Sequence, residues 1–169
     1  ECGDRIFTST EQILSIRMPF LAAIDGIEDP YNFGQVLRSF YASGVDGVIV
    51  PTRNFFTASA IVARSSAGAS EYLRIAAVDS MEDFCVSARA AGIALYATAL
   101  ENGAFDVHKT ELCRPLCVIF GGERRGISRK VVEKCDATLA LVYPHKTDIA
   151  LSASSAAAII AFEIGKRVN

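Results

Sequence analysis

The chain has 169 residues, with 17 Lys plus Arg against 19 Asp plus Glu, so its formal net charge is −2 with both histidines neutral. With 51% apolar residues, 21% charged residues and five prolines it can bury a full core, and it is not a disordered tail, a collagen or a highly basic nucleic-acid coat. Its longest uncharged run, Ile149 to Phe162, is 14 residues, is interrupted by serines, and falls short of the roughly 18 apolar residues of a membrane-spanning helix.

Residues 1 to 19 are comparatively polar. Thr10 followed by Glu11 and the apolar trio Ile13, Leu14 and Ile16 predicts a short packing helix with its cap at Thr10. Strand-length apolar runs then alternate with segments of helical spacing: Phe20 to Ile24, Asn32 to Ala42, Gly47 to Val50, Thr57 to Ser66 and Leu73 to Val78 read as β-α-β-α-β. The alternation continues through Ser80 to Ala91, Ile93 to Thr98, Leu116 to Phe120, Ser128 to Lys134 and Thr138 to Tyr143, and it closes with a helix near Ile149 to Gly165. The expected fold is α/β, one domain over 1–169 with around six strands in a mostly parallel sheet and helices on both faces. Val48-Ile49-Val50 and Cys117-Val118-Ile119-Phe120 are continuously apolar, as strands covered on both faces are.

No basic leader followed by an apolar run opens the chain, and the absent initiator Met suggests a processed or trimmed start. Five cysteines, Cys2, Cys85, Cys113, Cys117 and Cys135, are an odd number in a chain of this size, which favours free thiols in a reducing cytoplasm. Cys113 and Cys117 lack a second pair or a nearby His to complete a metal site, so they read as a loop thiol and a buried strand thiol.

Ligands of such a sheet bind outside the carboxyl ends of its strands, which directs attention to the loops starting at Asp25, Pro51, Thr98, Gly121 and Tyr143. The run from Gly121 to Ser128 imitates a phosphate loop in leaving a buried strand for a helix, but Ile127 stands where a Walker motif needs Lys. Neither Gly-x-Gly nor Gly-x-Ser-x-Gly occurs, so the dinucleotide fingerprint and the nucleophile elbow are absent. His108 and His145 fall in different loops and read as surface histidines. Arg38 sits mid-helix among Phe33, Val36, Leu37 and Phe40, where it is either a solvated cation beside an apolar face or a functional group with a partner.

Three segments in order carry a specific resemblance. Asp29-Pro30-Tyr31-Asn32-Phe33-Gly34-Gln35-Val36-Leu37-Arg38, Ile119-Phe120-Gly121-Gly122-Glu123-Arg124-Arg125-Gly126-Ile127-Ser128 and Ala150-Leu151-Ser152-Ala153-Ser154 resemble the three motifs of the SpoU/TrmH class of SPOUT RNA methyltransferases. Ser65-Ser66-Ala67-Gly68-Ala69 resembles the small-residue segment between the first two, so the likeness runs from about Ile24 to the end. The resemblance implies a sheet whose carboxyl-terminal segment is threaded as a trefoil knot. It also implies S-adenosylmethionine as cofactor, held by Gly121, Gly122, Leu141, Leu151 and Thr98, with no metal.

The implied chemistry is methyl transfer from the sulfonium to a ribose 2′-hydroxyl of rRNA or tRNA. Position gives Arg38 as the catalytic arginine, Asn32 as the motif-one asparagine, Glu123 as the motif-two glutamate and Ser152 as the motif-three polar residue. A guanidinium is too weak a base to take a proton, so Arg38 is read as a phosphate clamp and oxyanion stabiliser that Glu123 orients. Arg124, Arg125, Arg129 and Lys130 crowd a helix start whose dipole they oppose, which points to RNA phosphate as their partner. Tyr31 and Phe33 flank Asn32 and offer rings for base stacking, with Phe33 also reading as core. The third motif departs from the usual Ser-Leu-Asn, reading Ala150-Leu151-Ser152, so the alternative is an RNA- or cofactor-binding domain with weakened turnover. The resemblance further implies a homodimer and, because family members often carry an amino-terminal substrate domain that the 23 residues before Ile24 are too few to form, either a minimal enzyme or a fragment of a longer one.

Overall fold

A computed structural model describes residues 7–52, 59–99, 103–122, 125–145 and 150–168. The polar leader forms helix α1, Thr10–Leu14, but Ser9 caps it in place of Thr10. A capping box needs a Gln or Glu three residues after the cap, and Gln12 stands three after Ser9: the Ser9 hydroxyl accepts from the Gln12 N–H at 3.2 Å while Gln12 Oε1 accepts from the Ser9 N–H at 3.1 Å. Ile13 is the buried residue of this helix.

Strands β1 (Phe20–Asp25), β2 (Gly47–Pro51), β3 (Ile75–Val78), β4 (Ala94–Thr98), β5 (Phe105–Asp106), β6 (Leu116–Gly121) and β7 (Ala137–Ala140) form one sheet in the order β3-β2-β1-β6-β4-β7-β5. Every pairing is parallel. The sheet has seven strands where about six were expected, and the unforeseen one, β5, is two residues long, too short for any periodicity to announce it.

Helices α2 (Pro30–Ser43), α3 (Ser59–Ser65), α4 (Met81–Ala90), α5 (Arg129–Val132) and α6 (Ala153–Val168) complete the chain. Side chains of β1 alternate between two cores: Phe20, Ala22 and Ile24 join α2 and α6 on one face, while Leu21 and Ala23 join α1, α4 and Val131 of α5 on the other. Helix α2 starts where Asp29 accepts from the Asn32 N–H at 2.7 Å and Pro30 supplies a first-turn residue with no N–H to satisfy. Its inward residues Phe33, Val36, Leu37 and Phe40 are buried, and the Phe40 ring lies 4.9 Å from that of Phe120 on β6. Burying each such side chain contributes on the order of 2 kcal/mol, which fixes the helix start against the end of β1.

Two expected helices differ in extent. The segment from Ser128 is a single turn, because Ser128 caps it at Val131 and the chain turns again before β7. The last helix begins at Ala153, four residues after the expected Ile149, because Ser152 caps it: its hydroxyl accepts from the Ser155 N–H at 3.2 Å and its carbonyl from the Ala156 N–H at 2.9 Å. No described helix is long and apolar enough to cross a membrane.

Candidate functional site

Because all strands run the same way, the ends of β1, β4, β6 and β7 open on one rim. Asp25 stands opposite Gly121 in register, and the Thr98 hydroxyl accepts from the Gly121 N–H at 3.4 Å. A cavity of about 460 Å³ opens here. It is lined by Thr98, Gly121, Gly122, Leu141, Tyr143 and Leu151, with Ala153, Ala156, Ala157 and Ile160 of α6 forming its far wall. Its volume and mostly apolar lining suit a drug-sized organic molecule. Leu141 is buried, whereas Leu151 is 42% exposed and presents an apolar edge to the opening.

A second cavity of about 360 Å³ lies beside the first, lined by Gly26, Ile27, Glu28, Asp29, Asn32, Arg125 and Ala153. Ala153 borders both. The wall between them is backbone. The Gly122 N–H donates to the Asp25 carbonyl at 3.1 Å, and a Cβ on Gly122 would lie 1.8 Å from the Gly26 carbonyl oxygen. A Cβ on Gly121 would lie 2.8 Å from the Gly126 carbonyl carbon and 2.9 Å from the Ile127 nitrogen. Both residues must therefore be glycine for the loop to close on itself, before any ligand makes a claim on the space.

The structure brings all five expected cofactor residues, Gly121, Gly122, Leu141, Leu151 and Thr98, to the apolar cavity, and Asn32 to the polar one. Arg38 is exposed and lines neither cavity. Six residues beyond Asn32, it stands about 9 Å further along α2 and about 120° around it. The Ser152 hydroxyl is engaged as the α6 cap and with the hydroxyls of Ser154 at 3.1 Å and Ser155 at 2.9 Å. Glu123 and Arg124 lie outside the described residues.

Of the other basic candidates, Arg125 lines the polar cavity, Lys130 is exposed, and Arg129 forms an exposed ion pair with Glu133 at 2.9 Å. The dipole argument for these residues weakens, since α5 has only four residues and few aligned peptides to sum. Tyr31 is 58% exposed at the start of α2, and Phe33 is core.

The cysteines follow the sequence reading: Cys113 is exposed and Cys117 buried. Burial pushes the Cys85 thiol up to about 11, the Cys135 thiol up to about 12, and that of Cys117 well above its ordinary value. These thiols stay protonated at neutral pH and are poor ligands or nucleophiles. Both histidines are exposed, His108 with Nδ1 3.7 Å from a Glu163 carboxylate oxygen. Among the described residues, no group of three or more His, Cys, Asp or Glu is arranged to hold a metal ion.

Sequence reasoning pointed to the loop that starts at Tyr143 but gave that residue no role, and it missed the α6 wall. Residues 153, 156, 157 and 160 do carry a signal, for that spacing puts them on one helix face, but alanines on a stripe read equally as helix packing.

The profile of the SpoU rRNA Methylase family matches residues 19–162. A Staphylococcus saprophyticus protein assigned to the TrmH family of tRNA/rRNA methyltransferases is 34% identical over 146 residues, 86% of this chain and 58% of that protein. Among solved structures, an AdoMet-bound rRNA methyltransferase from Sinorhizobium meliloti superposes with a TM-score of 0.86 at 23% identity, covering 98% of this chain and 62% of that one, a likeness of fold. The SpoU methyltransferase AviRb from Streptomyces viridochromogenes, in complex with the cofactor AdoMet, is 28% identical with a TM-score of 0.79 over 90% of this chain and 59% of that one. The chain thus spans about three-fifths of the length of each of these proteins. With the matched profile running from just before β1 into α6, and so across both cavities, the chain belongs to the SpoU rRNA methylase family.

Proposed function

We propose that this chain is an S-adenosylmethionine-dependent RNA methyltransferase domain acting on a ribose 2′-hydroxyl of rRNA or tRNA. The observation that carries the reading is the convergence of Thr98, Gly121, Gly122, Leu141 and Leu151, from four separate stretches of chain, on one apolar cavity of suitable size. The residues fit the cofactor: Leu141 and Leu151 offer apolar walls for an adenine, and Gly121 and Gly122 bring no side chain into the space. When bound, the cofactor supplies an electrophilic methyl group on sulfur.

The remaining work falls to this chain's own residues. The polar cavity shares Ala153 with the apolar one, so a ribose held near Asn32 and Arg125 lies next to the methyl donor. Arg125 neutralises a flanking phosphate. Arg38 stabilises the oxygen as it loses its proton to solvent and gains the methyl group. In the homodimer that the resemblance implies, Arg38, which lines neither cavity of its own chain, serves the site of the second copy.

Incubation with labelled S-adenosylmethionine and bulk ribosomal and transfer RNA tests the reading, with nuclease digestion to show label on 2′-O-methyl nucleosides. Label on a base, or none on either RNA, overturns it. Sedimentation at micromolar concentration tests the dimer, and a monomer that still transfers methyl groups overturns the sharing of Arg38.

A second reading, cofactor or RNA binding without turnover, is favoured by the third motif. Ala150 has no hydroxyl, and the Ser152 hydroxyl is engaged in capping α6. Cofactor binding with no transfer to any RNA selects it.

A further inference from the structure

We propose that Tyr143 is a positioning residue that holds the Leu151 wall of the apolar cavity against the adenosine end of the cofactor, an inference that rests on the function proposed above. Tyr143 follows the end of β7 by three residues, and Leu151 directly precedes Ser152, the cap of α6. The Leu151 N–H donates to the Tyr143 phenol oxygen at 3.2 Å, joining two residues eight positions apart in the chain. Both line the cavity.

The two residues differ in how firmly they are held. The Tyr143 ring packs against the core that contains Leu139, Leu141 and Ile160. Leu151 is 42% exposed and belongs to no helix or strand. A residue with so few restraints is oriented in large part by whatever fixed group its backbone meets, and here that group is the phenol. An aliphatic or phenylalanine side chain at 143 would pack on the core as well, so packing does not account for the oxygen. The altered third motif gives the oxygen its use. Ala150 has nothing to hold the wall with, and Ser152 is occupied at the helix cap, so the restraint on Leu151 comes from across the cavity rim instead.

Tyr143→Phe in the full chain keeps the ring and removes the acceptor. By calorimetry its Kd for S-adenosylmethionine should rise about three- to tenfold, the range that one neutral hydrogen bond supports. 5′-Methylthioadenosine, which lacks the amino-acid end, should lose the same factor. KM for the cofactor should rise in step, while kcat at saturating cofactor stays within about twofold. In the ligand-free protein the Leu151 amide should exchange its hydrogen faster, with an unchanged melting temperature. An unchanged Kd overturns the proposal, as does a loss of kcat and melting temperature with Kd intact, which would make Tyr143 a folding residue. Failure of the unsubstituted chain to bind S-adenosylmethionine overturns the functional reading and this one together, and it is told apart from the other outcomes because it needs no variant.

Discussion

The polar cavity takes five of its seven lining residues from the single segment Gly26 to Asn32, whereas the apolar cavity draws its walls from the ends of β4, β6 and β7 and from α6. The two share Ala153 and a partition of bare backbone where Gly122 meets Gly26, yet they are built by different means. A local turn and a helix cap suffice for the polar one, since Asp29 accepting from the Asn32 N–H sets the loop and the first turn of α2 together. The apolar one exists only once a parallel sheet has brought three distant strand ends to one rim. A change in a local segment should therefore touch one cavity, and a change in the partition should touch both.

The largest effect is expected at the partition. Gly122→Val would drive its Cβ into the Gly26 carbonyl, backbone against backbone with no side chain free to yield. The cost should reach the ~3 kcal/mol upper end of overpacking, visible as a lower melting temperature and loss of both S-adenosylmethionine and RNA binding. Normal cofactor binding by this variant would mean that the loop can open without harm, and the two cavities would then be independent.

Arg38→Ala should separate chemistry from both cavities. Transfer should fall by about 10² or more while the Kd for S-adenosylmethionine stays within a few-fold, as expected for a group that acts on the transition state. Transfer at the unsubstituted rate would remove Arg38 from the mechanism. Mixing Arg38→Ala with a chain defective in cofactor binding should restore part of the activity if each site borrows its arginine from the other copy.

Arg125→Ala should affect the polar side alone. RNA binding should weaken, and the slope of log K against log salt should become shallower by about 1, the signature of one lost phosphate contact. Calorimetry with S-adenosylmethionine should give the unsubstituted value; a weakened cofactor would show that Arg125 reaches across the partition.

The smallest effects sharpen the comparison. Asp29→Ala removes the cap of α2 and should cost about 1 kcal/mol of stability in chemical denaturation, without altering cofactor affinity. Thr98→Val deletes the 3.4 Å bond from the Gly121 N–H on the opposite side, and should weaken S-adenosylmethionine about two- to threefold with RNA affinity unchanged. If each variant disturbs the other cavity's ligand equally, the division into two sites is wrong.

Much of this molecule was legible as a string. The alternation of apolar runs with helical spacing announces a parallel α/β sheet, because a strand covered on both faces has to be apolar throughout, as Cys117 to Phe120 is. Asp29-Pro30 announces the start of α2, since a cap and a first-turn proline act within four residues. Asn32 is a candidate through the motif resemblance, and Arg125 through its place in a basic run. Errors cluster where local signals compete or are too short: Ser9 caps α1 in place of Thr10 because Gln12 completes its box, β5 has two residues and no period, and the Ser152 cap starts α6 four residues later than expected.

What the sequence by itself determined is the order and type of the elements and the identity of the loops at the strand ends, because these follow from short-range periodicity, capping and turn chemistry. Tertiary structure alone decided which of those loops meet. The register of Asp25 with Gly121 and the closeness of Gly122 to Gly26 turn two glycines from permissive residues into required ones. The fold of α6 over the rim makes a wall from alanines that look like filler, while Arg38, exposed on α2, lines neither cavity. Distances between residues a hundred positions apart depend on how the strands are ordered across the sheet, and no local preference encodes that order.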